Sequence, residues 1–214
     1  MILLNNSFVF SYVALLGVSL VTIIEALRTA DPHIRHIMNL ESSISLVAGI
    51  VYSVFVTLSN DPDNFDLRTI TRVRYMDWTV TTPLLLLTLM LFFCSMNNKQ
   101  IHVGVLLIVI VLDLVMLAFG YMAEMGKISK MTGWAVGTAA FFGMLVPIYM
   151  NFVVPSDMEQ MVVFGLFTAI WFMYGVAFLL DETKKNLMYN VLDVTAKGLF
   201  GFFLWLYYTK LVVA

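Results

Sequence analysis

Apolar residues in this chain run on for about twenty positions at a time, and short polar clusters separate the runs. A helix needs about 20 apolar residues to cross the ~30 Å hydrocarbon core of a bilayer, and only helices or closed barrels can span it with every backbone group bonded. Runs of this length predict helices. There are seven: A from Phe8 to Ala26, B from Asn39 to Leu58, C from Val73 to Phe93, D from Val103 to Ala123, E from Met131 to Val154, F from Met161 to Leu180, and G from Met188 to Thr209. The connections are short and carry turn residues: Ala30-Asp31-Pro32, Asn60-Asp61-Pro62-Asp63-Asn64, Asn97-Asn98-Lys99, Pro155-Ser156-Asp157 and Asp181-Glu182-Thr183-Lys184-Lys185. None is long enough to form a domain, so residues 1–214 are expected to make one all-α, seven-transmembrane-helix bundle.

Composition agrees. The 214 residues are 61% hydrophobic and 12% charged, which is too little charge to cover a water-facing surface. Lipid is therefore the expected solvent. The net charge of -2 argues against a nucleic-acid partner, which would require a basic stripe. The single cysteine excludes an intrachain disulfide framework, and His33, His36 and His102 are too scattered for a metal cluster, so no metal is expected. Met1 to Ile24 has neither a basic start nor a small-residue cleavage site and is read as the first span. Counting Lys and Arg by side gives a small excess that would place the N-terminus inside.

Five charges within the spans qualify as candidates for function: Glu41, Asp77, Asp113, Asp193 and Lys197. Each such group costs about 2.5–3.5 kcal/mol at a bilayer centre, so those that remain are functional candidates. At a 1.5 Å rise, Asp77 lies about 10 Å from the midpoint of helix C, Asp193 about 9 Å from that of helix G, and Lys197 about 3 Å. Helices C and G run the same way, so the two aspartates match in depth, just below one lysine. Asp193 and Lys197 are four apart on one face, and Arg74 is one turn from Asp77. A structural ion-pair network would explain such a cluster, although apolar packing would join two helices at a lower desolvation cost. A near-central lysine also suits covalent attachment of a carbonyl compound as a Schiff base, whose protonated form needs a counterion. Trp78, Trp134, Trp171, Tyr174 and Phe178 fit a flat apolar ligand, the last three at helical spacing.

The stretch Arg74-Tyr75-Met76-Asp77-Trp78-Thr79-Val80-Thr81-Thr82-Pro83-Leu84-Leu85-Leu86-Leu87 resembles the third helix of microbial (type I) rhodopsins, and Leu192-Asp193-Val194-Thr195-Ala196-Lys197 resembles the retinal-binding stretch of their seventh. Weaker likenesses cover most of the remaining chain. The resemblance implies that Lys197 carries all-trans retinal as a protonated Schiff base, with Asp77 as counterion and proton acceptor, Asp193 as second counterion and Arg74 as a gate beneath them. Thr81 would bond Asp77, and Tyr52 with Tyr174 would bond Asp193. Trp78, Trp134 and Trp171 would enclose the polyene, Leu85 and Gly137 would belong to the colour-tuning wall, and Met116 and Phe178 would line the pocket. Asp113, beside the ring in this family, would be a protonated, hydrogen-bonded acid. The resemblance also implies an extracellular N-terminus, against the lysine count, a cytoplasmic C-terminus and a homo-oligomer of three or five copies. Chain length and an early acid in helix B are reminiscent of rhodopsins carried by large algal viruses.

Several positions depart from the family's proton pumps. Many carry an aspartate eleven residues after the counterion, where this chain has Thr88, which cannot donate a proton at neutral pH. Glu41, near the start of helix B at comparable depth, is the candidate donor; its alternative is an interfacial glutamate that snorkels at the helix end. With Ser42, Ser43 and Ser45 it also resembles the polar helix B of channelrhodopsins, and the serines are equally consistent with a backbone-bonded helix start. Gly175 and Phe178 replace a proline and a tryptophan common in helix F. A carboxylate pair for proton release has no clear match, because Asp181 and Glu182 lie beside Lys184 and Lys185.

The expected function is a light-driven outward proton pump moving small ions across a lipid bilayer, and no enzymatic activity is expected. A light-gated channel is the alternative. A sensory receptor is less favoured, since only four residues follow Lys210. The remaining reading is a structural membrane protein without a chromophore.

Overall fold

The computed structural model describes residues 2–61 and 65–210. Three sequence readings touch residues outside it: Met1 at the start of the first span, the centre of the second connection, Pro62 to Asn64, and the four residues after Lys210. Among the described residues the order is α1 (Ile2–Arg28), α2 (Pro32–Ser59), α3 (Leu67–Asn97), α4 (Val103–Glu124), α5 (Lys130–Phe152), α6 (Met158–Phe178), α7 (Glu182–Asp193), a π-helical segment (Val194–Leu199) and α8 (Phe200–Thr209). The last three are continuous from Glu182 to Thr209, which leaves seven helices long and apolar enough to cross a membrane. The all-α, seven-span architecture is as expected.

The helices reach further than the apolar runs at most ends. Hydropathy marks the part of a helix that meets hydrocarbon, whereas the helix itself ends where backbone bonding finds a cap. Asp31 caps α2 by accepting from the His33 N–H at 2.8 Å, and Pro32 occupies the first turn, where its missing donor costs nothing. Asp157 caps α6 through the N–H groups of Glu159 and Gln160. At the seventh span the expectation needs correction: Glu182 to Lys185, read as a connection, form the first turn of α7.

Contacts along the chain define two compact units, one comprising residues 1–77 and 182–214, the other residues 78–181. In the first, α1 packs along α2 and against the seventh span. Its core joins Leu4, Phe8, Leu15, Ala48, Tyr52, Phe55 and Ile70. Ser19 donates to the Ser42 carbonyl at 3.0 Å and Ser42 to the Ser19 carbonyl at 3.2 Å, a reciprocal pair that ties the two helices. In the second unit α5 packs against α4 and α6. A polar clasp closes one end of it: the Gln160 amide donates to Asn97 Oδ1 at 2.8 Å, and Asn97 donates to the Phe152 carbonyl at 2.7 Å.

Candidate functional site

The first unit buries two cations and two carboxylates in one cluster. Lys197 Nζ donates to Asp77 Oδ2 at 2.5 Å and stands 3.5 Å from Asp193 Oδ1. Arg74 donates through Nη1 to Asp193 Oδ2 at 2.9 Å and to the Tyr52 hydroxyl oxygen at 2.9 Å, and through Nη2 to Asn190 Oδ1 at 2.6 Å. Tyr52 donates its own proton to Asp193 Oδ2 at 2.8 Å. None of Arg74, Asp77, Asp193 and Lys197 exceeds 2% exposure. Buried charges are tolerated only when paired and hydrogen-bonded, and here two positive groups offset two negative ones.

Local structure explains the aim of these side chains. Arg74 and Asp77 share a face of α3 at a spacing of three residues. Lys197 sits in the π-helical segment, a widened turn that is rare and concentrated at functional sites. The Thr195 hydroxyl donates to the Val191 carbonyl at 2.8 Å within the same stretch. Hydropathy gave no sign of this widening, because it concerns backbone geometry and leaves the apolar pattern intact.

Several participants are not singled out by the sequence. Asn190 accepts from Arg74 and donates through Nδ2 to Ser7 Oγ of α1 at 2.7 Å. Tyr189 lies with Tyr52 and Phe55 around the guanidinium, the ring centroids 5.6, 5.5 and 4.9 Å from Arg74 Cζ. Lys185 is completely buried and pairs with Glu182 at 2.7 Å. The available signal was spacing: Lys185, Tyr189, Asp193 and Lys197 recur every four residues along the seventh span.

Glu41 is also fully buried and is no snorkelling surface group. Its carboxylate lies beside Gly201 of α8. Among the neighbouring serines, Ser42 serves the α1 to α2 tie, and Ser43 donates to the Asn39 carbonyl at 2.8 Å from an exposed position.

The second unit carries the aromatic set. Trp78 and Tyr174 meet edge to face at 5.4 Å, and Trp171 stacks on Phe167 at 4.7 Å. Trp134 donates its indole N–H to the Gly175 carbonyl at 3.0 Å, joining α5 to α6. Leu85 and Phe178 are buried, Met116 is half-buried, and a Cβ on Gly137 would sit 3.6 Å from the Met116 carbonyl oxygen. Asp113 is fully buried and accepts from Thr82 at 2.7 Å, a partner the sequence did not single out. Thr81 and Thr88 are both buried on α3.

A model of the bacteriorhodopsin-like protein family matches residues 3–211, and the chain belongs to that family. The viral rhodopsin OLPVRII superposes with a TM-score of 0.91 at 33% identity, over 97% of this chain and 98% of that one. This likeness agrees with the viral affinity read in the sequence. Bacteriorhodopsin of Halobacterium salinarum is 26% identical over 212 residues, covering 89% of this chain and 79% of that protein. The green-light absorbing proteorhodopsin of Gamma-proteobacterium EBAC31A08 is 28% identical over 159 residues, 62% of this chain, and the match spans 59% of that protein's length. The chain is thus a multi-pass integral membrane protein of a retinal-binding family. The residues of each unit fit the chromophore's chemistry: the first has a buried primary amine for attachment and two carboxylates to balance a cation there, and the second has aromatic side chains suited to a polyene.

Proposed function

We propose that this protein is a light-driven outward proton pump in which Lys197 carries all-trans retinal and Asp77 accepts the proton held on Lys197 Nζ. The observation that carries this reading is the 2.5 Å approach of Lys197 Nζ to Asp77 Oδ2 in a buried cluster, a donor and an acceptor already within transfer distance. Lys197 would hold retinal, which when bound would supply light absorption and photoisomerisation.

The protein's side chains do the rest. Asp77 is neutralised when it takes the proton, so Asp193 becomes the remaining negative partner of Arg74, the gate beneath the pair. Tyr52 keeps Asp193 oriented, and Thr81, one turn after Asp77 on α3, is expected to bond it. Thr88 cannot resupply a proton, so the buried Glu41 is the donor that returns one to Lys197. Trp78, Trp134, Trp171 and Tyr174 confine the polyene, Leu85, Met116, Gly137 and Phe178 shape the pocket wall, and Asp113 bonded to Thr82 acts beside it as a structural acid. The N-terminus faces outside and the C-terminus the cytoplasm, protons are the cargo, and residues 1–214 work as one domain that assembles into a homo-oligomer of three or five copies in the bilayer.

Illumination under voltage clamp tests the proposal. A current that stays outward across voltages is expected. One that reverses with the ion gradient overturns the pump in favour of a channel, and the lack of a visible band after adding all-trans retinal removes both.

A further inference from the structure

Arg74 is gripped from several directions. Asp193, Asn190 and the Tyr52 hydroxyl take its N–H groups, and the rings of Tyr52, Phe55 and Tyr189 surround its plane. Asn190 is itself fixed, because its amide donates to Ser7 Oγ and Ser7 donates to the Leu4 carbonyl at 2.7 Å. The guanidinium is thereby tied through one amide to a third helix. A planar fork held at several of its donors loses little further freedom and gives up charge-assisted bonds if it turns away.

The opposite direction is unfavourable for a separate reason. One turn beyond Tyr189, away from Lys197, stands Lys185, wholly buried on the same face of α7. Its carboxylate partner Glu182 is about half exposed and already engaged by it. A guanidinium moving that way would have to compete with the Lys185 ammonium for the Glu182 carboxylate, which Lys185 already holds at 2.7 Å.

We propose that Asn190, hung on Ser7, is a latch that holds Arg74 against Asp193 throughout the light cycle, while Lys185 already occupies the carboxylate that an outward swing would seek. Asn190 is thus a positioning residue acting through Arg74, and proton exit proceeds without travel of the guanidinium. This rests on the pump reading above, in which Arg74 is the gate, and it specifies that the gate works as a fixed charge.

The test is the ¹⁵N spectrum of arginine-labelled, retinal-loaded protein in lipid, with the Arg74 signals assigned by loss in Arg74→Lys. In the unaltered protein the two Nη signals are expected to be separate, in the dark and under steady illumination, because rotation about Cζ–Nε is blocked. Asn190→Leu should merge them, Ser7→Ala should broaden them, and Asn190→Gln, which keeps an amide, should restore separation. Separate signals in both Asn190→Leu and Ser7→Ala, or signals that merge on illumination of the unaltered protein, overturn the latch. Since Ser7→Ala only trims a hydroxyl, it serves if Asn190→Leu fails to fold. A visible band unmoved in Asp77→Asn would instead refute the pump reading, and the arginine spectrum would still report on the latch.

Discussion

A Cβ on Gly201 would stand 2.7 Å from Glu41 Oε2 and 3.2 Å from Val18 Cγ1, so the missing side chain of one residue is the space that the carboxylate of the other occupies. In the first unit, α8 thereby seats an acid that enters from α2. A methyl group at this point forces Glu41 to move, and Glu41→Gln keeps the shape but removes the transferable proton. Both Gly201→Ala and Glu41→Gln are expected to slow the final, reprotonating stage of the photocycle by about tenfold or more while leaving the first proton transfer unchanged. Flash photolysis resolves the two stages, and an unaltered late rate in Glu41→Gln takes that residue out of the proton route.

The two aspartates should respond differently to neutralisation. Asp77 contacts Lys197 most closely, whereas Asp193 also bonds Arg74 and Tyr52. Asp77→Asn is expected to red-shift the pigment and cut the outward current by at least about tenfold, since the acceptor hydrogen-bonded to Lys197 is lost and Asp193 is already bonded to Arg74 and Tyr52. Asp193→Asn leaves a buried guanidinium short of its counter-charge, and breaking such a pair costs roughly 3–5 kcal/mol. Its principal effect should therefore be a lower melting temperature, read from bleaching of the visible band.

Ser42 separates the pump from the channel in a second way. Its hydroxyl is spent on the Ser19 carbonyl, so its expected role is to hold α1 to α2. An interhelical hydrogen bond of this sort in a membrane averages about 0.6 kcal/mol. Ser42→Ala should lower stability by about that amount and leave the photocurrent unaltered; altered ion selectivity would place the serine in a conduction path.

Acid should act on the start of α3. The carboxylate of Asp66 accepts from the backbone N–H of Arg68 at 2.9 Å and from that of Thr69 at 3.1 Å, and these bonds, the Arg68 one foremost, hold its pKa below the usual value. A group depressed in the folded state contributes fully above its unfolded pKa of about 3.9 and loses that contribution as pH falls through the folded value. Hydrogen exchange should show the first turn of α3 fraying only below about pH 4. Asp66→Ala should fray at neutral pH, and equal protection in both proteins would exclude the cap.

Much of this was legible along the chain. Spans were readable because hydrocarbon demands about twenty apolar residues wherever a helix crosses it, and that demand is one-dimensional. Asp77, Asp193 and Lys197 stood out for the same reason, as charges where charge is costly. Four-residue spacing alone places Asp193 and Lys197 on one face, and the family resemblance implies their roles.

Other features depend on which helices meet. Asn190 and Ser7 are 183 residues apart, and no local pattern links them. The burial of Lys185 was hidden because a lysine next to Asp181 and Glu182 reads as a solvated connection, whereas the helix extends through it and turns it inward. Glu41 reads equally as a surface acid in the sequence, and its burial depends on the glycine that α8 sets opposite it. Order along the chain is enough to show where it spans and which charges stand out, because solvation by lipid acts on each segment alone. Tertiary structure decided which groups hold those charges in place, since a hydrogen bond depends on angles and distances of a few ångströms between helices that the order of residues does not encode locally.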